Sequence, residues 1–184
     1  MTTPLKARFK HVGIYVQDLA SMTDFYTRWF GLVQTDGGMG GSGKGAFFSS
    51  DPAEHHQIVM VVGRDPASKP TLNQLSFLVD DLQTLKAYWR KALDEKVAIS
   101  MVKSHGNALS VYVLDPEGNQ CEIYCNTPWY VRQPSGKPLD LRLSDEDILA
   151  QVEREVRADP SFTSREDWMT QMARRMAPEP THNH

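Results

Sequence analysis

Cysteine is scarce in this sequence. Cys121 and Cys125 are the only two in 184 residues, too few for a disulfide scaffold and in keeping with a reducing cytoplasm. Long apolar runs are missing as well: none approaches the roughly 18 consecutive apolar residues of a membrane span. Met1 to Lys10 lacks the apolar stretch of a signal peptide. No charge of one sign dominates either. Twenty Lys and Arg stand against 23 Asp and Glu, for a net charge of −3. The basic residues are scattered, so no stripe awaits nucleic acid or an anionic membrane. The 40% hydrophobic, 9% aromatic and 23% charged residues are ordinary for a globular protein and exclude a disordered or fibrous chain. The length fits one domain, with or without an appendage. These absences together predict a soluble cytoplasmic protein.

What the sequence does contain is a repeat. His11-Val-Gly-Ile-Tyr-Val-Gln-Asp-Leu19 aligns with Gln74-Leu-Ser-Phe-Leu-Val-Asp-Asp-Leu82, 63 residues later. Each segment alternates with the period of a half-buried strand. Val12, Ile14 and Val16 oppose His11, Gly13 and Tyr15, and Leu75, Phe77 and Val79 oppose Gln74, Ser76 and Leu78. Asp18 and Asp81 are placed to cap helices over 19–30 and 82–93. Gly31 follows the first as a C-terminal cap. Leu19, Met22, Phe25, Tyr26 and Trp29 form one apolar face, and Leu82, Leu85, Tyr88, Trp89 and Leu93 form the other. Strands are expected near 31–36, 45–50 and 56–62, then near 97–104, 109–114 and 119–125. Asp-Pro pairs at 51–52 and 115–116 mark equivalent turns.

The fold class is therefore α+β, a β-α-β-β-β module written twice, about 8–63 and 72–126, within a domain of 1–126. The two sheets are expected to join into a curved, barrel-like surface with a central cleft lined by the polar strand faces. Residues 127–184 form a C-terminal extension. Its first part is proline-rich and extended. A capping box at Ser144 opens a helix to about Ala158, Pro160 ends it, and Ser164 with Asp167 opens a second to about Met176. The extension is expected to pack on the domain or complete a dimer; the alternative is a lid carrying Trp129 and Tyr130. Ala177 to His184 are expected to fray.

His11, Gln74 and Glu122 fall on the wet strand face. One carboxylate with neutral donors can hold a divalent ion and leave positions open for substrate. A histidine on a strand is also commonly a structural residue, and spacing alone does not separate the two readings. Gly38-Met-Gly-Gly-Ser-Gly43-Lys44 nearly spells a phosphate-binding loop, but Gly45 stands where Ser or Thr must hold magnesium. A strand-like segment follows instead of a helix, so it reads as a flexible loop. Cys121 and Cys125 share a face with Ile123 and read as core thiols. Met169, Met172 and Met176 read as a packing stripe.

These motifs resemble the vicinal oxygen chelate superfamily, which includes glyoxalase I, fosfomycin-resistance enzymes, bleomycin-binding proteins and extradiol catechol dioxygenases. The resemblance covers roughly residues 8–126 and rests on His-Val-Gly-Ile-Tyr-Val at 11–16, Asn-Gln-Leu-Ser-Phe at 73–77 and Asp-Pro-Glu-Gly-Asn…Glu-Ile-Tyr at 115–124. Several positions lean towards the extradiol enzymes. The resemblance implies a metal held by His11, Gln74 and Glu122, with Gln74 where those enzymes carry a second histidine. Fe(II) is the expected ion, with Mn(II), Ni(II), Co(II) or Zn(II) as alternatives; an amide oxygen in place of imidazole weakens the site for iron. It further implies that His56 takes and returns a substrate hydroxyl proton and that Tyr112 hydrogen-bonds the substrate oxygen. His105 and Asn107 surround them. Strict alternation lets only one of His56 and Gln57 face the cleft, and His56 is the expectation.

The implied activity is ring-cleaving dioxygenation of a catechol-like aromatic with O2, in a homodimer. Two alternatives stay open. A glyoxalase I-like lyase or isomerase is favoured by Gln74, and by Gln57 if it faces inward. A non-catalytic small-molecule binder like the bleomycin-sequestering proteins would need no metal.

Overall fold

In the computed structural model, which describes residues 7–38, 43–70 and 72–177, each expected helix begins on its expected cap. Residues 39–42 of the glycine-rich loop and residues 178–184 of the C-terminal end lie outside the described residues. Asp18 Oδ1 accepts from the backbone N–H of Ala20 and Ser21 at 3.0 and 3.2 Å. Asp81 does the same for Thr84 at 2.8 Å. Such caps satisfy amide groups that a helix start leaves without partners. Gly31 closes the first helix at φ 64°, a left-handed conformation that favours glycine.

Two compact units result. The first comprises residues 1–73 with 115–119, and the second comprises 74–114 with 120–184. In the first, β1 (Val12–Val16), α1 (Leu19–Phe30), β2 (Val33–Gly37), β3 (Gly45–Ser49) and β4 (Ile58–Val62) make a four-stranded sheet in the order β1-β4-β3-β2. β1 lies parallel to β4, and α1 falls between them in the chain. Met22, Phe25, Tyr26 and Trp29 of α1 are buried, with the Phe25 and Trp29 rings stacked at 5.3 Å. β2 is an exposed edge carrying Gln34, Thr35 and Asp36, side chains that discourage further strand pairing.

The turn at 115–119 lies between two strands of the second unit in sequence but belongs to the first. Glu117 holds it there. Its Oε1 accepts from the N–H groups of Gln17 and Asp18 at 2.6 and 2.9 Å. Its Oε2 lies 3.3 Å from Arg64 Nη1, in a pair whose side chains are 6% and 9% exposed. Arg64 also donates to the Glu117 carbonyl at 3.1 Å and to Asn119 Oδ1 at 3.3 Å. Asp115, beneath, accepts from the Tyr26 hydroxyl at 3.0 Å and from the amides of Glu117 and Asn119. Burial raises its carboxyl pKa, against the lowering effect of these bonds.

The second unit repeats the pattern with β5 (Leu75–Leu78), α2 (Leu82–Asp94), β6 (Ile99–Ser104), β7 (Ala108–Leu114) and β8 (Gln120–Asn126). β5 is parallel to β8, and β10 (Lys137–Pro138) adds an edge to give the order β10-β6-β7-β8-β5. Leu109, Val111, Val113, Cys121, Ile123 and Cys125 supply buried core side chains. Leu93, expected on the buried face of α2, is 53% exposed. The buried residues are Leu82, Leu85, Lys86 and Ala92. Lys86 buries its stem and places its ammonium on the Leu143 carbonyl and the Asp145 carboxylate, as long cationic side chains do.

The extension is part of this second unit. β9 (Trp129–Tyr130) pairs with β11 (Thr163–Ser164). α3 (Asp145–Arg157) buries Ile148, Val152 and Val156. α4 (Arg165–Met176) buries no residue. Met169 and Met176 are exposed, which corrects the expected packing stripe; α4 meets β9 and β11, with Trp168 stacking on Tyr130 at 5.0 Å. Among the described residues, no helix is long and apolar enough to cross a membrane. Both cysteines are buried and neither forms a disulfide, and burial, with the Asp81 carboxylate adding to it, pushes the Cys125 thiol up to about 11.

Glu117→Ala removes the carboxylate partner of the buried Arg64 guanidinium, and is expected to cost about 3–5 kcal/mol, read as a lowered midpoint in urea unfolding.

Candidate functional site

The second unit builds its site on register. β8 lies between β7 and β5. The pairing sets Tyr112 of β7 and Ser76 of β5 directly opposite Glu122. Alternation then places Gln74 on the face of Ser76, and Ser110 on that of Tyr112. All four converge on the Glu122 carboxylate. Oε2 accepts from Gln74 Nε2 at 2.6 Å and Ser76 Oγ at 2.7 Å. Oε1 accepts from Ser110 Oγ at 2.8 Å and Tyr112 OH at 2.7 Å. Glu122 is 8% exposed. A buried carboxylate needs such partners, and all four are neutral.

Tyr112 extends the network. Its hydroxyl lies 2.9 Å from His105 Nε2, and His105 Nδ1 lies 2.7 Å from the Ser135 carbonyl. A carbonyl only accepts, so Nδ1 carries a proton, and a neutral ring then presents Nε2 as an acceptor. The single Tyr112 hydrogen has two acceptors, Nε2 and Glu122 Oε1. The chain His105–Tyr112–Glu122 can thus hold one further proton without moving a heavy atom. Burial, and after it the bond and charge of Glu122, raise the Tyr112 phenol pKa, so the hydroxyl stays protonated. Asn107 faces elsewhere: its Oδ1 accepts from Gln133 Nε2 at 3.3 Å.

The first unit holds the other expected residues. β4 starts at Ile58, leaving His56 and Gln57 in the preceding loop. Gln57 Oε1 accepts from the N–H and hydroxyl of Ser50, both at 2.9 Å. His56 lies against His11, ring centroids 4.2 Å apart, and edge-on to Phe47 at 5.1 Å. His55 joins it to Asp36, with Nδ1 2.9 Å from His56 Nδ1 and Nε2 2.8 Å from Asp36 Oδ2. If Nε2 of a neutral His55 donates to Asp36, its Nδ1 accepts from His56 Nδ1, and His56 Nε2 keeps its lone pair. Desolvation, then repulsion from His11 and His55, lowers the His56 pKa.

Among the described residues, no group of three or more His, Cys, Asp or Glu is gathered to hold a metal. The expected ligand set has a different make-up, since Gln74 is one of its members. Gln74 and Glu122 are brought together, and with Nε2 donating, the amide oxygen of Gln74 remains for a cation. A carboxylate and an amide oxygen are hard donors, and they fit an oxygen-seeking divalent ion. Ser76 and Ser110 were not among the residues expected at the site, although their even-numbered positions, shared with Gln74, Tyr112 and Glu122, were a usable signal.

A paired β-α-β-β-β chain with a buried carboxylate on its last long strand defines a class of small α+β proteins. The chain belongs to the Glyoxalase/Bleomycin resistance protein/Dioxygenase superfamily, whose sequence pattern matches residues 8–123. Comparison with curated proteins gives no match. Solved structures share the fold. A possible glyoxalase from Bacillus cereus is 17% identical with a TM-score of 0.54, over 65% of this chain and 100% of its own. Lactoylglutathione lyase from Agrobacterium tumefaciens is 20% identical with a TM-score of 0.51, over 67% and 96%. A mutant of the fosfomycin resistance protein FosX from Listeria monocytogenes, complexed with Mn(II) and 1S,2S-dihydroxypropylphosphonic acid, is 19% identical with a TM-score of 0.54, over 67% and 93%.

His56 is expected to titrate below the ordinary 6.5, followed by its ring Cε1–H resonance in EDTA-treated protein. His11→Ala is expected to raise the midpoint, and His55→Ala to raise it by less. Because the unfolded chain binds this proton more tightly, the His56 contribution to stability is lost as pH falls below 6.5.

Proposed function

We propose that this chain is a metal-dependent enzyme of the extradiol type, opening the ring of a catechol-like aromatic with O2. The observation that carries the reading is the hydrogen-bonded chain His105–Tyr112–Glu122, which sets a tyrosine beside the expected carboxylate ligand. In this proposal Glu122, Gln74 and His11 hold a divalent ion, Fe(II) foremost, with Mn(II), Ni(II), Co(II) or Zn(II) as alternatives. The ion supplies a Lewis-acid centre for two vicinal substrate oxygens.

The residues do the rest. Tyr112, kept protonated, donates to a substrate oxygen as negative charge gathers on it. His56 takes the hydroxyl proton at Nε2 and returns it later, a role suited to a base that stays neutral at physiological pH. His105 orients the Tyr112 hydroxyl, and Asn107 supports the turn that carries His105. The assembly proposed is a symmetric homodimer, with a small aromatic substrate and neither nucleic acid nor membrane as partner.

A second reading, a glyoxalase-like lyase or isomerase, is favoured by Gln74, whose amide meets Glu122 at 2.6 Å. The glyoxalase and lactoylglutathione lyase named among the similar structures support it at the level of fold.

Elemental analysis of purified protein beside Glu122→Ala tests both. Near-stoichiometric metal that the variant loses is expected. Oxygen uptake on a catechol panel after anaerobic Fe(II) loading supports the dioxygenase. Turnover under strict anaerobiosis with Ni(II), Co(II) or Zn(II) supports the lyase. Metal-free protein that refuses loading overturns both and leaves a small-molecule binder.

A further inference from the structure

The family pattern ends at residue 123, so the extension lies outside it, yet the extension touches His105. The loop Ser104–Ala108 that presents the imidazole packs against it at Gly106. Gly106, at φ 79°, has no room for a side chain: an added Cβ would sit 2.5 Å from Val131 Cγ2 and 3.0 Å from Val156 Cγ1. Thr127 Oγ1 donates to the Gly106 carbonyl at 2.6 Å. Gln133 is the tie. Its Nε2 donates to the His105 carbonyl at 2.9 Å and lies within reach of Asn107 Oδ1 and the Val131 carbonyl. Its Oε1 accepts from the Ser135 N–H at 2.9 Å. One side-chain amide therefore grips both the residue that bears the imidazole and the residue whose carbonyl takes the Nδ1 proton.

We propose that Gln133, in the C-terminal extension, is a positioning residue: it fixes the Ser135 carbonyl on His105 Nδ1 and so commits Nε2 to the Tyr112 hydroxyl. Without that acceptor the ring is free to rotate or to adopt the Nε2–H tautomer, the one free histidine favours. An Nε2–H would donate to the Tyr112 oxygen, and the phenol hydrogen would have Glu122 as its one acceptor. The extension thus decides whether Tyr112 is offered a base or a donor. The importance of this arrangement for turnover rests on the proposed function; the arrangement itself does not.

The test is the nitrogen spectrum of His105 in full-length, metal-free protein labelled with 15N-histidine. Spectra are taken at about pH 8.5, two units above the ordinary histidine value. The expected wild-type pattern is a protonated Nδ1 and a bare Nε2. Gln133→Ala is expected to lose it, moving to the Nε2–H or a tautomer-averaged pattern. Gln133→Glu keeps the acceptor for Ser135 but sets an oxygen against the His105 carbonyl, and is expected to lose it too. Ser161→Ala removes a different contact of the extension, the bond from the Arg132 N–H, and is expected to keep it.

A wild-type Nε2–H pattern overturns the proposal, as does an unchanged pattern in both Gln133 variants. The same change in Ser161→Ala would show general loosening and also overturn it. If Gln133→Ala does not fold, judged by circular dichroism, Gln133→Glu and the wild-type spectrum decide. None of these readings depends on a substrate, so failure of the functional reading, seen in metal content and turnover, is distinguishable from failure here.

Discussion

A carboxylate taken out of water has to be compensated, and at Glu122 the compensation is spread over two neighbouring strands. β5 brings Gln74 and Ser76, and β7 brings Ser110 and Tyr112. A slip of either strand by one residue would turn these donors to the opposite face and set apolar side chains against the charge. The polar cluster and the Leu109, Val111, Val113 and Ile123 core behind it therefore specify the same register. This agreement makes β8 the reference strand of the second unit. Under the proposed function it would also couple chemistry to folding, because the groups that hold the carboxylate are the ones given roles there.

Much of this was legible in the sequence, and the legible parts share a cause. Helix boundaries followed from Asp18, Asp81, Ser144 and Ser164, whose side chains bond the amides of the first turn, a local interaction that needs no knowledge of the rest. Strand faces followed from alternation. The convergence of Gln74 and Glu122 was accessible because a repeat brings equivalent strands to equivalent places. Ser76 and Ser110 were hidden by their ordinary chemistry; a serine on a polar face attracts no notice until a carboxylate is known to lie across from it.

What could not be read is non-local. Lys86 has the composition of a solvent-facing residue, and its burial depends on Asp145 and the Leu143 carbonyl, more than 50 residues away. Leu93 was misplaced because helical period alone does not say where the strands beneath α2, β7 and β8, stop covering it. The part played by Gln133 and Ser135 carried no signal, because backbone carbonyls and single amides have no sequence signature. The extension was legible as two capped helices and an extended run, and illegible as a neighbour of His105.

The Asp115–Asn119 turn has a consequence for how the protein is made. Its acceptors complete the start of α1 and neutralise Arg64, yet they are encoded more than 40 residues beyond the last strand of the first unit. A chain growing from the ribosome holds all of β1 to β4 long before it holds Glu117. In N-to-C synthesis the first unit has its full set of contacts only once the chain has passed β7, and until then the Arg64 guanidinium has no Glu117 carboxylate to meet. The two modules are alike in pattern but unequal in autonomy: cutting the chain between residues 73 and 74 would part the first unit from its 115–119 turn, while every residue of the second unit would stay on one piece.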